Sequence, residues 1–98
     1  MIYIVDIDGT IANTENSDYK NSKPMLCRIR KINELYDQGH TIIYMTARGA
    51  VSKIDWKEFT AKQLEEWGCK YHELDVGNKR HYHQWIDDKA INSEEFFK

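Results

Sequence analysis

The sequence predicts a small α/β domain built on a parallel sheet, and three observations carry that expectation. Two short apolar runs, IYIV from Ile2 and TIIYM from Thr41, are β-branched and aromatic without polar alternation, as in strands buried on both faces of a parallel sheet. Segments with helical spacing alternate with them, the pattern of βαβ units joined by right-handed crossovers. Each run ends abruptly in polar residues, which places those residues at the carboxyl ends of the strands, where open α/β sheets collect ligands.

Length and composition narrow the class. With 98 residues, the chain is expected to be a single domain over residues 1–98, with a modest core that folds without disulfides. Cys27 and Cys69 show neither a metal spacing nor a secreted framework, which points to packing roles and a reducing compartment. The first apolar run stops at Asp6, too short for a signal or membrane segment, so a cytoplasmic protein without membrane association is expected. A net charge of −2 argues against a broad basic field for nucleic acid, although it leaves a local site open.

The elements follow in order. After the first strand, NTENSDYKNS at residues 13–22 is polar enough for a loop. Pro24 suits the first turn of a helix at residues 24–38. On it Leu26, Ile29, Ile32, Leu35 and Tyr36 share a face before Gly39 supplies a left-handed stop. The second strand, Thr41 to Met45, runs into Thr46, Ala47, Arg48 and Gly49. Asp55 and Glu58 have capping-box spacing, and Trp56, Phe59, Leu64 and Trp67 line one side of a helix at residues 56–67 that Gly68 ends. Residues 69–74 are a weak third strand. Tyr82 to Ile86 is a better fourth, ending at Asp87 and Asp88, and residues 94–98 add a helical turn.

Four strand ends thus carry Asp6 with Asp8, Thr46 with Arg48, Lys79, and Asp87 with Asp88. Carboxylates there need water, hydrogen-bond donors or a cation. Three of them at one edge suit a hard divalent ion, and Mg²⁺, which binds a few carboxylates and a phosphate oxygen while keeping waters, is the expected cofactor. A carboxylate beside that ion can attack a phosphoryl group and form an aspartyl-phosphate, a role that spacing alone leaves open to Asp6 and Asp8 alike. Gly9 permits a tight turn with amides facing the phosphate, while Thr46 and Lys79 can donate to its oxygens.

DIDGT at residues 6–10 resembles the DxDGT motif of the haloacid dehalogenase-like phosphatases, and MTARG at 45–49 and WIDDKA at 85–90 are similar to that superfamily's second and fourth motifs. The likeness covers nearly the whole chain. It implies that Asp6 is the nucleophile and Asp8 the general acid and later base, with Thr46, Ala47, Gly9 and Lys79 binding phosphate. It further implies that Asp6, the backbone carbonyl of Asp8 and Asp87 hold Mg²⁺, supported by Asp88, Arg48 and Thr10. Lys79 sits nearest the family's Gly-Lys context, with Arg80 and Lys70 as competitors. The implied fold is a minimal Rossmann-like sheet of about four strands in the order 3-2-1-4, flanked by helices. Related enzymes insert cap domains in two connections that run here to about 14 and about 10 residues, too short to hold one, so no cap domain is expected. Residues 11–24 match the superfamily's mobile flap in place, with Tyr19, Lys20 and Asn21 as candidate substrate contacts.

The expected function is a Mg²⁺-dependent phosphomonoester hydrolase acting on a small phosphorylated substrate, a sugar phosphate or nucleotide. An uncapped cleft and the Lys79-Arg80-His81 cluster keep a nucleic-acid end or other macromolecule open as substrate. A receiver-like phosphate-binding module shares the ingredients but pairs adjacent acids on its first strand. Taken singly, the residues have ordinary readings. Asp8-Gly9 can be a hairpin turn, Asp87-Asp88 a helix N-cap, Thr46 a strand-end hydroxyl and Arg48 a surface charge. Trp56, Trp67 and Trp85 read as core, and His81 and His83 as a polar sheet face. A calcium loop is excluded because Gly9 is fourth from Asp6 rather than sixth. Oligomeric state stays open.

Overall fold

A computed structural model describes residues 1–49, 52–77 and 93–97. In chain order the elements are β1 (Ile2–Asp6), β2 (Ala12–Asn13), a 3₁₀ turn (Tyr19–Asn21), β3 (Lys23–Pro24), α1 (Leu26–Asp37), β4 (Thr41–Thr46), α2 (Lys57–Glu66), β5 (Glu73–Val76) and α3 (Ser93–Phe96). β1 and β5 each pair in parallel with β4, with Asp6 opposite Met45 and Thr46 opposite Val76, giving the sheet order β1-β4-β5. These strands occupy the first three places of the expected order. The expected fourth strand lies outside the described residues, and so do Lys79, Arg80, His81, His83, Trp85, Asp87 and Asp88.

The core forms on one side of the sheet. Val5, Ile42 and Tyr44 meet Ile29 and Ile32 of α1 and Leu64 of α2, with Tyr3 and Leu74 packed against the cluster. Two right-handed crossovers taken in the same direction put both helices on that face. α3 joins the same side, where the Phe96 ring lies 6.0 Å from Tyr3 and the Phe96 carbonyl accepts from Lys31 Nζ at 2.7 Å. This corrects the expectation that β1 is buried on both faces: Ile2 and Ile4, pointing the other way, are 66 % and 62 % exposed. No helix among the described residues is long and apolar enough to cross a membrane.

Element ends also differ from the sequence pattern, for local reasons. Pro24 does not open α1; it pairs with Ala12 in the two-residue β2–β3 ladder, a position that does not need a proline N–H, and the Met25 N–H donates to the Ile11 carbonyl at 2.8 Å. The helix therefore begins at Leu26, which is 58 % exposed rather than part of the core stripe. The third strand starts at Glu73, later than expected, because Cys69 belongs to the exit from α2. Its N–H donates to the Leu64 carbonyl at 3.0 Å behind Gly68, whose φ is +74°.

Candidate functional site

β1 carries Asp6 to the carboxyl edge of the sheet, and the chain then turns sharply. The Ile7 carbonyl accepts N–H donors from Thr10, Ile11 and Ala12 at 3.1, 3.0 and 3.1 Å, and the Gly9 N–H donates to the Ala12 carbonyl at 2.8 Å. That turn sets Gly9 at φ +83°, a left-handed conformation that strains any residue with a Cβ even though open space surrounds it. Ile7 and Ile11, both fully buried, anchor it. The chain does not fold back onto β1, so the Asp8-Gly9 hairpin reading does not hold; β2 pairs with β3 instead.

Asp8 stands at the centre of a polar network. Arg48 Nη2 donates to Asp8 Oδ1 at 2.8 Å, Arg48 Nε donates to Oδ2 at 3.0 Å, and Thr14 Oγ1 donates to Oδ1 at 2.6 Å. Thr46 Oγ1 faces Oδ2 at a longer 3.4 Å and accepts from the Arg48 N–H at 3.2 Å. Arg48 is 1 % exposed, which overturns its surface-charge reading. Its remaining arm, Nη1, donates to Gln63 Oε1 at 2.7 Å and to Thr60 Oγ1 at 3.3 Å, while the Tyr19 ring lies 4.6 Å from the guanidinium carbon. A bidentate guanidinium–carboxylate pair of this burial fixes the Asp8 side chain in one orientation.

This environment also sets the charge of Asp8. Burial pushes its carboxyl upward, but hydrogen bonds from Arg48 and Thr14 and the guanidinium charge outweigh that, holding it below the ordinary carboxylate value. The stability such a group contributes is present above its unfolded-state value and is lost as pH falls through the folded one. The urea midpoint is therefore expected to drop as pH falls below about 4, and Asp8→Asn should flatten that part of the profile. A drop of the same size in Asp8→Asn would assign it to other carboxylates.

Asp6 and Asp8 line an open cleft of about 240 Å³ together with Thr46 and Ala47 from the end of β4 and Ser17 and Tyr19 from the loop after β2. Asp6 is half-buried, and its Oδ1 accepts the Ile7 N–H at 2.9 Å. Gly9 serves the turn, and the Thr10 carbonyl accepts from Arg28 Nη1 at 2.9 Å. Among the described residues no group of three metal-binding side chains gathers. Lys70, one competitor for the phosphate cation, instead pairs with Asp37 at 2.9 Å on the exposed surface.

Thr14, Thr60 and Gln63 escaped sequence reasoning. The signal was present in α2: Thr60, Gln63, Leu64 and Trp67 follow the i, i+3, i+4, i+7 spacing of a core face, with polar residues in two of its places. A buried polar side chain needs a partner, and Arg48 is that partner. The expected aromatic stripe of this helix forms a half-buried ladder, with Trp56 edge-on to Phe59 at 5.3 Å and to Tyr19 at 5.0 Å.

No family model matches the chain, and no curated protein matches it. The crystal structure of a target protein from Vibrio cholerae superposes with a TM-score of 0.86 at 30% sequence identity, covering 98% of this chain and 86% of that one.

Proposed function

This chain belongs to the same family as the Vibrio cholerae protein, and we propose that it is a Mg²⁺-dependent phosphomonoester hydrolase working through an aspartyl-phosphate on Asp6. One observation carries the reading. Two carboxylates from DIDGT share an open cleft with the Thr46–Ala47 strand end, and one of them, Asp8, is locked by Arg48 while Asp6 faces the cleft beside it. That asymmetry separates the roles: Asp6 attacks, and Asp8, ionised at rest, takes the proton from the water that later hydrolyses the acyl-phosphate. Delivering a proton to the leaving oxygen in the first half-reaction requires Asp8 to take one up against the donors of Arg48 and Thr14.

Charge supports the cation. The carboxylates of Asp6 and Asp8 both line the cleft, and a phosphate entering beside two carboxylates calls for cationic compensation. The Asp6 carboxylate and the Asp8 carbonyl are hard oxygen donors suited to Mg²⁺, with Asp87 as the third. When bound there, Mg²⁺ would supply compensation for the phosphoryl charge beside Asp6. In this reading residues 82–86 would form the fourth strand on the edge of β1 away from β4, completing the order 3-2-1-4 and bringing Asp87 to the Asp6 end. The Gly77 N–H donates to the Thr46 carbonyl at 2.9 Å, which holds Gly77 beside the Thr46 end of β4.

The substrate in this reading is a small phosphate monoester. A phosphorylated nucleic-acid end is the second reading, favoured by the Tyr19 ring at the cleft wall with Trp56 against it. A panel running from p-nitrophenyl phosphate through sugar phosphates and nucleotides to end-phosphorylated oligonucleotides tests both. Turnover is expected with Mg²⁺ and none in EDTA; full turnover in chelator, or no hydrolysis of any ester, contradicts the proposal. A KM that rises steeply with salt would favour the polyanion.

A further inference from the structure

Gln63 joins two parts of the molecule that the cleft has to keep together. It is 7 % exposed and uses both ends of its amide: Oε1 accepts from Arg48 Nη1 at 2.7 Å, and Nε2 donates to the Tyr19 carbonyl at 2.8 Å. These partners dictate the orientation. A guanidinium only donates and a carbonyl only accepts, so a flipped amide would face donor with donor and acceptor with acceptor.

At one end, therefore, Gln63 holds the arm of Arg48 that Asp8 does not use. At the other it holds the tip of the 13–22 loop, where the Tyr19 ring covers the same guanidinium and lines the cleft. The base of that loop is fastened separately. Thr14 Oγ1 donates to Asp8, which spends its single proton, so in the 2.6 Å contact between Thr14 and Ser22 the Ser22 hydroxyl is the donor. Thr60 differs from Gln63 in one useful respect: its hydroxyl meets Arg48 at 3.3 Å and has no bond to the loop.

We infer that Gln63 is a positioning residue whose amide clasps the tip of the 13–22 loop to Arg48 and so sets the loop's distance from Asp8. The clasp stands on geometry alone; its consequence for substrate rests on the phosphatase reading, because Ser17 and Tyr19 line the cleft that the ester would enter.

Trypsin cleavage after Lys20, exposed in the 3₁₀ turn, reports the clasp without any activity assay. Gln63→Met removes both bonds. Gln63→Glu keeps an acceptor for Arg48 and loses only the donor to Tyr19, so it decides the matter if Gln63→Met does not fold. Both are expected to be cut at Lys20 about five- to tenfold faster than wild type, the scale of one hydrogen bond, with Thr60→Val within about twofold of wild type. KM for the phosphate ester should rise in the Gln63 variants by more than kcat falls. Wild-type cleavage rates in the Gln63 variants, or equal acceleration in Thr60→Val, would overturn the clasp whether or not the chain hydrolyses phosphate esters. Faster cleavage with an unchanged KM would overturn its bearing on substrate.

Discussion

Arg48→Met is expected to destabilise the protein by about 3–5 kcal/mol, the cost of breaking a buried ion pair from one side. The guanidinium is fully buried, and four side chains depend on it. Asp8 loses both forked donors, Gln63 and Thr60 lose theirs, and the Tyr19 ring loses the cation beneath it. An exposed ion pair makes the comparison sharp. Lys70 and Asp37 meet at 2.9 Å, almost the distance of Arg48 and Asp8, but their side chains are 49 % and 57 % exposed. Lys70→Met should therefore cost no more than about 1 kcal/mol. Arg48→Lys should fall between, since a lysine keeps the charge but cannot supply the fork. Urea denaturation of the three variants ranks them; an Arg48→Met loss within about 1 kcal/mol of wild type would mean that water replaces the guanidinium without penalty.

If Asp6 is the nucleophile as proposed, Asp6→Asn is expected to lower turnover on the order of 10⁴-fold or more, because it removes the attacking oxygen in a nearly isosteric side chain. An asparagine keeps the carbonyl-type acceptor for the Ile7 N–H, which meets Asp6 Oδ1 at 2.9 Å, and it relieves negative charge beside Asp8. Stability should change by about 1 kcal/mol or less. Asp8→Asn behaves differently: it weakens the contact with Arg48, so its loss of turnover comes with a loss of stability. Paired kcat and urea measurements separate the two carboxylates. An Asp6→Asn variant that turns over at the wild-type rate would remove Asp6 from the chemistry.

Much of this arrangement is legible in the sequence where local rules act alone. The apolar runs locate β1 and β4, and the glycines after α1 and α2, Gly39 at φ +94° and Gly68 at φ +74°, stop the chain where the pattern ends. The polar strand ends of DIDGT and MTARG do meet in one cleft. What escaped depends on partners distant in sequence. Arg48 reads as surface charge until Thr60 and Gln63 are seen to face it from α2, and the polar residues in that core-facing stripe have no explanation until Arg48 is buried. Pro24 reads as a helix start because its pairing with Ala12 lies across a loop. The exposure of Ile2 and Ile4 follows from the direction of the crossovers, which composition within β1 does not encode.

The central claim is that Asp6 becomes covalently phosphorylated, and trapping the acyl-phosphate tests it most directly. Turnover of p-nitrophenyl phosphate with Mg²⁺ is quenched with borohydride, which reduces an aspartyl-phosphate to homoserine, and the peptide carrying residues 1–20 is mapped by mass spectrometry. The expected result is homoserine at position 6 in wild type, at neither position 6 nor position 8 in Asp6→Asn, and at position 6 in greater yield in Asp8→Asn, where loss of the base slows hydrolysis of the intermediate. A label on Asp8, or hydrolysis with inversion at phosphorus and no labelled aspartate, would contradict the account.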